Sequence, residues 1–384
     1  MTTYRISGGT VLSPLGLAAA DVVVDGQTIA SVEPPGDAKG DLDASGLIVA
    51  PGFVDTHVHG ALGRNFMMGD ADALDVIGGF LVRHGVTSAL MATASLPRDE
   101  FGRAVTPLAD LVARTPSGLD VLGIHLEGPF LSDDYRGVHR ADAVRAPAPD
   151  EIDSLVDALG DALRVVTLAP ERPGALDAVA RLVEAGVTVS IGHSGADAPT
   201  VRRAVSLGVT RATHLYNAVP ERTGDSFVDV LMDSPGVFLE LIADGYHVAP
   251  DLIARTFSEA GAPRIMIVSD ESDVTGLGDG PHRRWEGTDV VVRDGQSRTP
   301  AGTLAGSVCP LDGALRILVR SAGIDIATAL RSLSENPARS IGATTKGRIA
   351  TGADADLVLI DEATLSIRAT MAGGRLVHHD RVDA

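Results

Sequence analysis

The chain holds one cysteine, Cys309, in 384 residues, which excludes an internal disulfide and leaves nothing of a stapled secreted scaffold. A reducing cytoplasm is the expected setting. Aromatic residues are only 3%, with a single tryptophan at Trp285, so the core has to come from close-packed aliphatic strands and helices. Positive charge is short as well. The 32 Lys and Arg face 51 Asp and Glu, a formal net charge of -19, which argues against nucleic acid or an anionic membrane surface as a partner. An anionic substrate would need locally placed cations. No apolar run approaches the roughly 18 residues of a membrane span, and the opening MTTYRISGGTVLS lacks the basic-then-apolar layout of a signal peptide.

What the chain does have is rhythm. Short aliphatic runs recur as LIVAPGFVDTH, TSALMATA, VLGIHLEG, VVTLAPE, TVSIGHS, RATHLYN, VFLELIAD and RIMIVSD, with Ala/Leu/Val/Arg-rich stretches between most of them. Their shortness and their Gly, Pro and Asp punctuation favour strands over buried helices. Near-continuous apolar character is expected of strands covered on both faces by crossover helices. Eight such units predict an α/β chain with a TIM-type (β/α)8 barrel over residues 51–343. Residues 1–50 and 344–384 read instead as short strands and turns. They are expected to pair as one small β-sandwich built from both chain ends.

Ionisable and polar residues stand where the runs end: His57, Thr93, Glu127, Glu171, His193, His214, Asp244 and Asp270. In a barrel those ends converge on one rim, where active sites form. His57-Val58-His59 would aim two imidazoles the same way if the strand continues that far, since side chains alternate with period two. Alone, such a pair is a weak signal. Joined by Glu127, His193, His214 and Asp270 on four further strands it is much harder to obtain by accident, because a lone buried carboxylate is costly unless paired or metal-bound.

This constellation, with PGFVDTHVHG, HLEGPF, GHS, THLYNA, ADGYH, TLAGS and the closing NPARSIG and KGRIATGADADLVLID, resembles the amidohydrolase superfamily, a group of metallo-hydrolases, and within it the N-acetylglucosamine-6-phosphate deacetylase branch. The resemblance implies hydrolysis of the acetamido group of an N-acetyl amino sugar. It implies Glu127, His193 and His214 as ligands of one divalent metal, His57 and His59 as holders of a second, and Glu127 as their bridge. Asp270 would face the metals as general acid and base, and His139 would hydrogen-bond the scissile carbonyl. Asn217, Ala218 and His247 correspond to substrate-contacting positions, with Arg222 standing near the expected phosphate-binding arginine. One or two ions of Zn, Fe, Mn or Co are implied, as is a homodimer.

Three stretches depart from that family. After THLYNA the chain reads VPERTGDSFVDVLMD without the Arg-x-Pro-Gly segment. LSDDYRGVHR places Asp133 and Asp134 where relatives carry lysines, and SDESDV adds Glu271 beside Asp270. A phosphate dianion needs Arg, Lys or backbone N–H donors, so an unphosphorylated or differently substituted N-acetyl sugar is the alternative substrate. Arg136, Arg140, Arg222, Arg283 and Arg284 are the candidates to compensate. A cyclic-amide hydrolase or deaminase is a further alternative, although VVTLAPE has no lysine to be carbamylated; a barrel that only binds is the non-enzymatic one. Residues 271–288 read as a lid loop, in which Trp285 either stacks on a sugar or packs the loop. Cys309 reads as a small buried apolar residue.

Overall fold

A computed structural model describes residues 3–36, 40–112, 114 and 118–380. The chain opens with β1 (Thr3–Ser13), β2 (Gly16–Asp25), β3 (Thr28–Glu33) and β4 (Leu47–Pro51). The barrel follows as β5 (Phe53–Val58), β6 (Val86–Ala92), β7 (Asp120–Glu127), β8 (Leu163–Leu168), β9 (Thr188–Ile191), β10 (Arg211–Ala212), β11 (Phe238–Ile242) and β12 (Ile265–Val268). These eight match the eight aliphatic runs one for one. They form a single parallel sheet in sequence order, and closure between its first and last members is carried by the Asp270 N–H donating to the His57 carbonyl at 2.9 Å. Helices cover the outside with one apolar face each. In the helix Ala71–Arg83, Leu74, Ile77, Phe80 and Leu81 recur at helical spacing and are buried, and Asp70 caps the start by accepting from Ala73 N–H.

Beyond the barrel come β13 (Gly280–Arg283), β14 (Asp289–Arg293), β15 (Gln296–Arg298) and β16 (Leu304–Ser307), an antiparallel sheet of four. Residues 271–288, expected as a loop, thus contain β13. Asp294 and Gly295 both have positive φ, 51° and 76°, and they join β14 to β15 through a two-residue turn, the Asp-Gly signal of a tight hairpin. The sheet is tied to the barrel rim, since Ser307 N–H donates to Asp270 O at 2.8 Å and Tyr246 donates its hydroxyl to Asp294 O at 2.7 Å.

The last strands, β17 (Leu357–Asp361), β18 (Ile367–Ala372) and β19 (Arg375–His379), return to the opening ones. The sheet runs β19-β18-β17-β4-β1-β2-β3, joining the two chain ends through β17 and β4. Its own buried cluster, including Val22, Val24, Val49 and Leu357, is separate from the barrel core. The outermost parts of the expected end module, residues 1–2, 37–39 and 381–384, lie outside the described residues.

Lys346, from the KGR motif, fastens the two parts. Its ammonium sits 2.7 Å from Asp120 at the start of β7, 2.7 Å from Asp356 and 3.0 Å from Asp354. Lys346→Met would leave three carboxylates facing one another, one of them nearly buried. Removing one partner of a buried pair costs about 3–5 kcal/mol, and the partial exposure of Asp120 and Asp354 reduces that to about 2 kcal/mol. Calorimetry should show Tm falling by roughly 2–3 °C; an unchanged Tm would mean that the two parts hold together without this ion cluster.

Candidate active site

The barrel brings its strand-end residues to one rim. His57 on β5 and His59 just after it are both buried. Glu127 ends β7, and its two oxygens face five imidazoles. His193 and His214 place Nε2 3.1 Å from Oε1, and His57 Nε2 lies at 3.3 Å from the same oxygen. His59 and His139 place Nε2 3.4 and 3.2 Å from Oε2. Asp270 Oδ1 stands 3.2 Å from His59 Nε2 and 3.6 Å from His57 Nε2. The five expected metal ligands and Asp270 therefore converge. Three of these residues sit in the left-handed backbone region, with φ of 49° at His193, 28° at His214 and 50° at Asp270, a strain that only a strongly determined surrounding structure holds at non-glycine residues.

The hydrogen bonds on the far side of each ring decide what the near nitrogen presents. His193 Nδ1 donates to Tyr135 O at 2.9 Å and His214 Nδ1 to Asn217 O at 3.2 Å. Burial pushes the His193 pKa down to about 4, so that ring is neutral near pH 7 and its Nε2 carries a lone pair. The Nε2 atoms of His193 and His214 meet at 3.0 Å in front of a carboxylate oxygen, and Glu127 raises the His214 pKa against the pull of burial, so this point favours a positive charge. A cation lying among the donors supplies it. His57 Nε2, buried and without a hydrogen-bond partner, points the same way. Neutral imidazoles with carboxylates form a donor set suited to Zn, Fe, Mn or Co.

His139 is different. Its Nδ1 accepts from the Ser95 backbone N–H at 3.2 Å, which leaves the proton on Nε2 and makes His139 a donor towards the site. Asp270 is held below the usual carboxylate range despite its burial, because His59 and His57 face it. It is an ionised base.

Behind His57 lies a buried polar network absent from the sequence reading. His57 Nδ1 is 2.6 Å from Glu240 Oε1, and Arg211 Nη2 is 2.9 Å from Glu240 Oε2. Arg211 also donates to Thr56 Oγ1 at 3.0 Å. All three charged or imidazole side chains are fully buried. Glu240 stays ionised, its pKa lowered to about 2 against the pull of burial by His57 and Arg211. The signal was available: opposite charges in two adjacent aliphatic runs, RATHLYN and VFLELIAD, where packing supplies no reason for either.

A cavity of about 420 Å³ opens over the rim, a size suited to a small molecule. Asn217, Ala218, His247, His139 and Asp270 line it. Asp244 Oδ2 accepts from His247 Nδ1 at 2.7 Å and from Ser307 Oγ at 3.0 Å, fixing that ring. Arg222 is the exception among the expected substrate contacts. It is held 2.6 Å from Asp229 and 2.8 Å from Glu259 and does not line this cavity. Arg140, Arg284 and Arg298 do, the last unforeseen.

One further expectation changes and one open alternative is decided. Glu271 is buried, does not line the cavity, and has its pKa raised well above normal by burial and by Asp55 and Asp312, so it adds no charge to the pocket. Trp285 also stays out of the cavity; it packs against the barrel core, with its backbone N–H on Asp273 Oδ2 at 2.7 Å. Cys309 is inert, burial pushing its thiol up to about 12.

Comparison with known proteins places these features in a family. The amidohydrolase family model matches residues 48–377. The N-acetylglucosamine-6-phosphate deacetylase of Bos taurus is 35% identical over 350 residues, covering 87% of this chain and 84% of that protein. An N-acetylgalactosamine-6-phosphate deacetylase of Escherichia coli O157:H7 is 33% identical, covering 88% and 89%. Among solved structures, a mutant N-acetyl-D-glucosamine-6-phosphate deacetylase of Mycobacterium smegmatis in complex with N-acetyl-D-glucosamine-6-phosphate superimposes with a TM-score of 0.92 at 33% identity, covering 98% of this chain and all of that one.

Proposed function

The chain belongs to the amidohydrolase family, and on that premise we propose that it hydrolyses the acetamido group of N-acetylglucosamine 6-phosphate, giving glucosamine 6-phosphate and acetate. The observation that carries the reading is the ring of imidazoles about Glu127, with Asp270 as an ionised base on one side and His139 as a donor on the other. His57, His59, Glu127, His193 and His214, with Asp270, would hold one or two divalent ions. Such ions, when bound, make water a competent nucleophile near neutral pH and polarise the amide carbonyl.

The chain's own groups do the rest. Asp270 takes the proton of the attacking water as the C–O bond forms. His139 donates its Nε2–H to the carbonyl oxygen as negative charge develops there. Asp270 then returns the proton to the nitrogen, which leaves as a neutral amine when the C–N bond breaks. Asn217, Ala218 and His247 orient the sugar, the His247 ring being fixed by Asp244. A barrel of residues 51–343, an end module of 1–50 with 344–384, a cytoplasmic setting and a homodimer complete the proposal.

Metal removal tests it. Treatment with a chelator should abolish acetate release and lower thermal stability, and Zn, Mn, Fe or Co should restore both with one or two ions bound per chain by elemental analysis. Full activity in metal-free protein would sink the assignment of the histidines.

A further inference from the structure

Three guanidinium groups line the cavity, and they are not equivalent. Arg140 is bidentate on Asp142, at 3.0 and 2.6 Å. Arg284 is buried, with Nε 2.9 Å from Glu286 and 3.6 Å from Asp273. Both charges are already compensated. Arg298, at the end of β15, donates Nε and Nη2 to Gln296 Oε1 at 2.9 and 2.7 Å and Nη1 to Gly302 O at 2.7 Å. Those acceptors are neutral, and among the described residues no carboxylate lies within salt-bridge distance of it.

Donor counting sharpens the contrast. A guanidinium has five N–H donors and no acceptor. Three of the five on Arg298 are used, leaving one N–H on each terminal nitrogen, the pair that grips two oxygens of an anion at once. The side chain is held before any ligand arrives, so little rotamer freedom remains to be lost on binding. Its platform is held too, because the inserted sheet is bonded to the rim through Ser307 and Tyr246.

We propose that Arg298 holds the anionic substituent of the substrate and so sets the preference for a phosphorylated over a free N-acetyl sugar, from within the same chain. The proposal rests on the deacetylase reading and adds the phosphate contact to it. Arg222, held by its own pair of carboxylates outside the cavity, does not supply that contact. A chain of net charge -19 that admits a dianion needs one cation whose charge is not already spent, and Arg298 meets that requirement.

The test compares kcat/KM for N-acetylglucosamine 6-phosphate and N-acetylglucosamine in the metal-loaded wild type, Arg298→Gln, Arg298→Lys, Arg222→Gln and Arg283→Gln. Arg298→Gln should lower kcat/KM for the phosphorylated sugar about 10- to 100-fold, mostly through KM, and leave the free sugar within a factor of about two. Arg298→Lys should recover part of the loss. Arg283, which is exposed and paired with Asp289 outside the cavity, should leave the ratio between the sugars unchanged. An unchanged ratio in Arg298→Gln, or a collapse in Arg222→Gln instead, overturns the proposal. Glucose 6-phosphate, which has no amide, separates this from failure of the deacetylase reading: if the wild type hydrolyses neither sugar, calorimetric binding of glucose 6-phosphate should still weaken in Arg298→Gln, and equal binding by the two proteins overturns the proposal on its own.

Discussion

Asp270→Asn should lower kcat for acetate release by about 10³-fold or more while leaving KM within a few-fold. The replacement keeps the size of the side chain, which lies between His57 and His59 at the closing point of the barrel. It removes the capacity to accept a proton. Positioned general acid-base groups contribute about 10² to 10⁴-fold, and Asp270 serves both proton transfers in the proposed reaction, so the upper part of that range is expected. Single-turnover kinetics with elemental analysis makes the result interpretable: protein that keeps its bound metal and its substrate affinity but turns over slowly has lost the proton shuttle. A variant within tenfold of wild type would move the base elsewhere.

The second large effect concerns stability. Glu240→Gln should cost about 3–5 kcal/mol, because it leaves the fully buried Arg211 without its counter-charge. Glu240 also fixes the ring of His57 at 2.6 Å, and loss of such an outer contact typically weakens metal affinity about 10- to 100-fold. Denaturant unfolding and metal titration together should show both losses. Replacing the pair with apolar residues of similar volume, Glu240→Leu with Arg211→Met, should recover much of the stability but not the metal affinity, since nothing then holds the His57 ring. If the double variant recovered both, Glu240 would be only the partner of Arg211 and no support for His57.

The sequence disclosed the barrel because parallel strands buried on both faces must be apolar almost throughout, and it disclosed the metal-binding rim because ionisable residues at the ends of such strands have no packing reason to be there. Local pattern carries less where burial is one-sided. β14 has alternating buried and exposed residues, DVVVR, and ends in an Asp-Gly pair, whereas β13 lies inside the glycine-rich stretch 271–288 and read as loop. Glu240 and Arg211 were visible as charges inside aliphatic runs, but only the pairing of β10 with β11 shows that they neutralise each other. Charge tallies along the chain misled in another way. Glu271, Asp133 and Asp134 were counted against a phosphate; Asp134 does line the cavity, whereas Glu271 is buried away from it in a setting that keeps it protonated and Asp133 is paired with Arg172. Arg298 escaped notice because a loop arginine is ordinarily a solvated surface charge, and only its place on the inserted sheet brings it to the cavity.

Acetate release from N-acetylglucosamine 6-phosphate and from N-acetylglucosamine, measured in parallel with metal-loaded protein, tests the central claim most directly. The account predicts stoichiometric acetate and free amine, with the phosphorylated sugar the better substrate. Preference for the free sugar would contradict the phosphate assignment, and no acetate from either sugar in metal-replete protein would contradict the deacetylase itself.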